Sequence, residues 1–91
     1  MIVEYTRNFD RNYSKLLPER QKETDEVIAF FLEYYASQQF PKSLRVHKCN
    51  RFLSLSVTMN YRVFVLPINS GVKFVFVGNH QDAARYLKKE S

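Results

Sequence analysis

Between Phe52 and Asn79 the chain runs through three strand-length segments separated only by short turns, and no other feature restricts its fold as tightly. Phe52–Thr58 alternates, with Leu53, Leu55 and Val57 on one face and Ser54, Ser56 and Thr58 on the other. Met59-Asn60 turns it into Tyr61–Ile68, and Asn69-Ser70-Gly71 turns that into Val72–Val77. Connections this short allow only antiparallel pairing of neighbours. The last two segments are apolar on both faces, which places them in the middle of a sheet beneath helices. Upstream, Leu44–Cys49 alternates Leu44 and Val46 against Arg45 and His47 and reads as a further strand.

The N-terminal half follows a different period. Ile2–Thr6 reads as a short first strand. From Asn8, Phe9, Tyr13, Leu16 and Leu17 recur at helical spacing. Pro18 suits the first position of a second helix, with Glu19 in its acidic first turn. Val27, Ile28, Phe31, Leu32 and Tyr35 form the apolar stripe of that helix, which Phe40-Pro41 ends. Two antiparallel helices, a helical hairpin, are therefore expected. After the sheet, Asn79 is a good N-cap with Asp82 at N3, opening a helix to about Lys89. The expectation is a single α+β domain over 1–91: a strand, a helical hairpin, a mainly antiparallel sheet of three to four strands and a short C-terminal helix, with the helices packed on one face of the sheet.

Ninety-one residues suffice for one core. One cysteine, Cys49, excludes an internal disulfide framework and fits a reducing compartment. No apolar run reaches the 18–20 or so residues of a membrane span, and the first residues lack a basic-then-apolar leader pattern. A cytoplasmic location without membrane contact is expected. The formal net charge is +5, with a pI near 9.5. Bases gather at Arg45, His47, Lys48 and Arg51 and recur at Arg62, Lys73, Arg85, Lys88 and Lys89, while acids concentrate between Glu19 and Glu33. That division suggests a basic face for an anionic partner such as RNA, DNA or an acidic protein.

Two glycines in all exclude a phosphate-cradling glycine-rich loop. One Cys and two His, with no His-x-x-x-His or Cys-x-x-Cys spacing, make a closed zinc site untenable without carboxylates, so no metal or other cofactor is expected. No Gly-x-Ser-x-Gly elbow occurs. What remains is cations, imidazoles and tyrosines, a set that suits cleavage of RNA by its own 2′-hydroxyl. That reaction needs a proton acceptor, donors around the phosphate and a proton for the departing oxygen. Arg62, in an apolar strand, can grip a phosphate in two places. His80 carries an imidazole, a group that titrates near neutrality, and Tyr86 can hydrogen-bond to or stack on a base. Each also has a plainer role: Arg62 bonded to carbonyls or an acid, His80 satisfied at a helix start, Tyr86 as a half-buried aromatic. A helix beginning strictly at His80 would set His80 and Tyr86 about 120° apart. His47 and Lys48 fit a solvated basic strand as readily as an RNA contact, and Ser54 and Ser56 a plain polar face.

Leu44-Arg-Val-His-Lys48, Ser54-Leu-Ser-Val57, Asn60-Tyr-Arg-Val-Phe64, Val77-Gly-Asn-His80 and Tyr86 together resemble the RelE/ParE superfamily of bacterial toxins, over essentially the whole chain. The resemblance implies a toxin of a type II toxin–antitoxin system: a ribosome-dependent endonuclease of translated mRNA, neutralised by a cognate antitoxin protein. It implies Arg62 as support for the scissile phosphate, His80 as general acid and Tyr86 in RNA positioning or catalysis. Arg45, His47, Lys48, Arg51, Ser54 and Ser56 are the expected RNA contacts, and no small-molecule ligand is expected. The chain departs from RelE in carrying Ser54 and Ser56 where RelE has a Lys-x-Lys pair, so Lys48, Arg51 and His47 would have to supply that charge. Two other functions use the same fold: a ParE-like inhibitor of DNA gyrase, and a toxin-derived binding module without catalysis.

Overall fold

The computed structural model describes residues 1–90. In chain order the elements are β1 (Ile2–Tyr5), α1 (Arg7–Ser14), α2 (Pro18–Tyr35), a 3₁₀ turn (Lys42–Leu44), β2 (His47–Cys49), β3 (Phe52–Ser56), β4 (Tyr61–Ile68), β5 (Gly71–Asn79) and α3 (His80–Glu90). The strands form one five-stranded sheet in the order β1-β5-β4-β3-β2. β2 to β5 form an antiparallel meander, and β1 joins parallel to β5. The four strands read between residues 44 and 79 are all present, the first of them shortened, and the N-terminal strand adds a fifth at the β5 edge. The doubly apolar β4 and β5 are internal, as their sequences require.

Strand β1 reaches β5 because position 71 is glycine. Gly71 pairs with Ile2, and a Cβ there would stand 1.7 Å from the Ile2 carbonyl oxygen. The β4–β5 ladder also contains a bulge: Phe64 faces Phe76 while Val65 faces Phe74, leaving Val75 as the extra residue. Val75 and Phe76 consequently pack into the same cluster.

Alternation along the strands makes two cores. On one face α1 and α2 bury Phe9, Ile28 and Phe31 against Leu55, Val63, Val65, Val72, Phe74 and Val77. Phe31 and Phe74, both fully buried, meet edge-on at 6.2 Å. On the opposite face Phe52, Phe64, Val75 and Phe76 are covered by Ala83, Tyr86 and Leu87 of α3. The helices therefore lie on both faces rather than one, because the bulge and the large Phe residues leave a second apolar surface for α3 to cover.

The segment read as a strand over Leu44–Cys49 begins only at His47. Before it, Leu44 N–H donates to the Pro41 carbonyl at 3.1 Å and Arg45 N–H to the Lys42 carbonyl at 3.0 Å. Arg45 adopts a left-handed conformation with φ 47°. The rigid Phe40-Pro41 step thus starts a tight turn that consumes the first half of the alternating pattern.

Helix α1 does more than cover the core. β1 stops at Tyr5, so the far half of β5 has no strand on that side. The backbone of the cap residue Thr6 and the side chains of Asn8 and Asn12 take the strand's place. Thr6 N–H donates to the Phe74 carbonyl at 3.0 Å, Asn8 Nδ2 to the Val75 carbonyl at 2.9 Å, and Val77 N–H donates to Asn12 Oδ1 at 3.3 Å.

Candidate functional site

The loop Val57–Asn60, between β3 and β4, organises the corner that holds two of the expected site residues. Arg62 opens β4 opposite Ser56 on one side and Gly78 on the other, on the α3 face of the sheet. It is half-buried. Its Nη1 donates to Ser56 Oγ at 2.9 Å and to the Thr58 carbonyl at 3.2 Å. No carboxylate among the described residues lies within ion-pair reach of it. A guanidinium held by neutral acceptors keeps its charge and its remaining N–H donors for an outside anion.

His80 is the first residue of α3 and is exposed. The helix starts there because Asn79 caps it, with Asp82 N–H donating to Asn79 Oδ1 at 2.9 Å. Gly78 lets that first turn come down on the sheet, since a Cβ would meet the Phe76 ring at 2.7 Å and Asp82 Cβ at 3.4 Å. His80 Nε2 lies 2.8 Å from the Met59 carbonyl. A carbonyl only accepts, so Nε2 carries the hydrogen and Nδ1 is the nitrogen left to exchange a proton. Arg62 and His80 are thus held by successive carbonyls, Thr58 and Met59, of one loop.

Tyr86 lies apart from that pair. Because α3 begins at His80, the six-residue spacing turns the two side chains away from each other, and they line different hollows. His80 sits with Asn60, Tyr61, Asn79 and Gln81. Tyr86 lines a cleft of about 420 Å³ between α1 and α3. Its ring packs on Phe76 at 5.2 Å, Phe52 at 5.8 Å and Phe64 at 6.0 Å. Burial, with Glu90 adding to it and Arg51 opposing, raises the Tyr86 hydroxyl above the usual tyrosine range. At neutral pH it is a donor and not a base.

The remaining expected contacts are spread along the β2 side. His47 pairs with Ser54 and shares the sheet face of Ser56 and Arg62, while Lys48 alternates to the other face. Ser54 is only 4% exposed. Ser56 is occupied as the acceptor for Arg62. Arg51 lies 3.6 Å from Glu90 and covers the Phe52 ring at 5.3 Å, so it tethers α3 to the β2–β3 turn. Arg45 is exposed beside Phe40, Lys42 and His47. Sequence reading missed Thr58 and Met59, whose contribution is made by backbone carbonyls and has no side-chain signature. It also missed Asn12 and Lys15, which meet the end of β5 only in the folded chain. Among the described residues no group of three or more His, Cys, Asp or Glu side chains could hold a metal ion, and no helix is long and apolar enough to cross a membrane.

This architecture is the fold of the RelE-like toxins. Among solved structures the chain is similar to YafQ from E. coli, in a variant with one histidine replaced by glutamine (TM-score 0.74, 11% identity, covering 90% of this chain and 96% of that one). It is similar to the toxin of the RelB-RelE antitoxin-toxin complex from Methanococcus jannaschii (TM-score 0.68, 14% identity, 91% and 96%). A copper-bound mutant toxin from Helicobacter pylori also superposes (TM-score 0.71, 15% identity, 88% and 94%). No protein-family model matches the sequence, and no curated protein matches it either.

Proposed function

We propose that the chain is the toxin of a type II toxin–antitoxin system and acts as a metal-independent endoribonuclease on translated mRNA at the ribosome. The observation that carries this reading is Arg62: a half-buried guanidinium with no acid partner among the described residues, anchored by Ser56 and Thr58 beside an exposed imidazole held by the same loop. In this mechanism Arg62 binds the non-bridging oxygens of the scissile phosphate. It steadies the added negative charge as the 2′-oxygen attacks phosphorus and the bond to the 5′-oxygen breaks. His80, held through Nε2, donates a proton from Nδ1 to the departing 5′-oxygen, while solvent takes the proton of the attacking 2′-hydroxyl. Tyr86, kept protonated, can exchange hydrogen bonds with RNA or offer its ring edge to it, but cannot act as a base. Lys48 adds positive charge along the β2 edge, where His47 offers an imidazole to the RNA. Two of the solved structures of this fold are antitoxin complexes, RelB-RelE and DinJ-YafQ, which supports a cognate antitoxin as the partner of this chain.

The test is induction of the chain alone in bacteria, with transcript 5′ ends mapped within minutes. Cuts confined to translated frames, lost in Arg62→Ala and His80→Ala, are expected. Growth arrest with intact mRNA and altered DNA topology would replace this reading with gyrase inhibition. No arrest would leave a binding module without catalysis.

A further inference from the structure

The cleft between α1 and α3 is presented with donors that the chain itself does not use. Asn12 is oriented unambiguously, because its Oδ1 accepts from Val77 N–H at 3.3 Å and from Asn8 Nδ2 at 3.2 Å. Its Nδ2 is therefore turned away from those partners and has no protein acceptor among the described residues. Lys15 stands on the α1 wall and Lys89 on the α3 wall. Neither has a carboxylate within ion-pair reach among the described residues. The one acid among the described residues that line the cleft, Asp82, is already bonded to Arg85 at 2.6 Å. Donors and positive charge on both walls, with the single carboxylate neutralised, make a receptor for an anion. Tyr61 and Asn79 line both this cleft and the hollow of His80, so the two are adjacent.

We propose that this cleft is a second phosphate subsite, gripping the backbone of the RNA strand next to the phosphate at His80, with Asn12, Lys15 and Lys89 as its contacts. The choice of RNA as occupant rests on the nuclease reading above; the anion preference rests on the cleft alone. A strand held at two phosphates is fixed in direction as well as position, which one arginine and one histidine cannot achieve.

The test uses a single-stranded RNA trinucleotide with 2′-O-methyl groups, which cannot be cleaved, titrated into the isotopically labelled chain. The expected result is movement of the Asn12 side-chain NH₂ signals. In Lys15→Glu/Lys89→Glu the affinity should fall at least about tenfold at 0.1 M salt, and the salt dependence should lose about 0.7 in slope per phosphate contact removed. Asn12→Asp keeps the acceptor for Val77 N–H but puts a carboxylate where the donor was, so it should weaken binding with the Val77 amide signal and the melting temperature unchanged. Shifts confined to the Arg62–His80 corner, or parental affinity in the folded double variant, would overturn the proposal. So would an Asn12 shift reproduced at equal affinity by inorganic phosphate alone. The two readings separate: cleft-dependent RNA binding without mRNA cuts on induction sustains the subsite and sinks the nuclease. Arg62-dependent cuts with the double variant binding like the parent do the reverse.

Discussion

Arg62 and His80 are set by backbone carbonyls, and this makes their roles separable from stability. Arg62→Lys keeps a charge but loses the fork that spans Ser56, Thr58 and an outside oxygen. RNA cleavage is expected to fall roughly 10²–10³-fold, the scale of losing one charge-stabilising donor, with an unchanged melting curve. His80→Gln can still donate to Met59 but cannot transfer a proton, and a loss of about 10²–10⁴-fold in single-turnover cleavage is expected. Gly78→Ala tests a different property. Its Cβ would press on a Phe76 ring already packed between Phe64 and Tyr86. It should cost about 1–3 kcal/mol in denaturant unfolding. At this scale Arg62 and His80 could be singled out as candidates from residue type, since few residue types can do that work. Their shared dependence on Thr58 and Met59 was not, because any residue can present a carbonyl.

At the level of elements, the capping and turn chemistry was readable. Asn79 caps α3, and Lys88 and Lys89 occupy its last turn, as the sequence indicated. The arrangement of α1 was not readable, because nothing in Asn8 or Asn12 announces that they replace a strand. Asn8→Ala is expected to destabilise by about 1 kcal/mol and to speed hydrogen exchange at the Val77 amide, since it removes a donor to the bulge carbonyl and the bond that steadies Asn12. Unchanged exchange at Val77 would show that α1 does not seal the edge of β5. The strand expected from Leu44 failed for a local reason: alternation cannot distinguish a strand from a 3₁₀ turn once proline fixes the approach.

For the whole molecule, pH reads out how the tyrosines are packed. Burial raises Tyr5 and Tyr86, and a hydrogen bond to Asp25, at 2.8 Å, raises Tyr13. Above about pH 10, the ordinary tyrosine value, the unfolded chain loses these protons while the folded chain holds them. Folding then binds protons, so stability falls as pH rises. The contribution is complete below that value and lost as pH passes through the raised ones. The melting temperature should therefore decline from about pH 10 upward, less steeply in Tyr13→Phe/Tyr86→Phe. An identical decline in that variant would assign the effect elsewhere.

Local pattern was enough to determine the α+β class, the antiparallel meander and the central position of β4 and β5, and to nominate candidates for phosphate chemistry. Periodicity, turn chemistry and side-chain type are all properties of neighbouring positions. Tertiary structure alone decided that β1 pairs with β5 across nearly seventy residues, as Ile2 with Gly71 shows, and that α3 covers the face opposite α1 and α2. It also brought Arg62 and His80 to the carbonyls of one loop and put Tyr86 in another cleft. These are contacts between distant segments, selected by which apolar faces remain to be buried and which backbone groups remain to be paired. No short stretch of sequence contains that information.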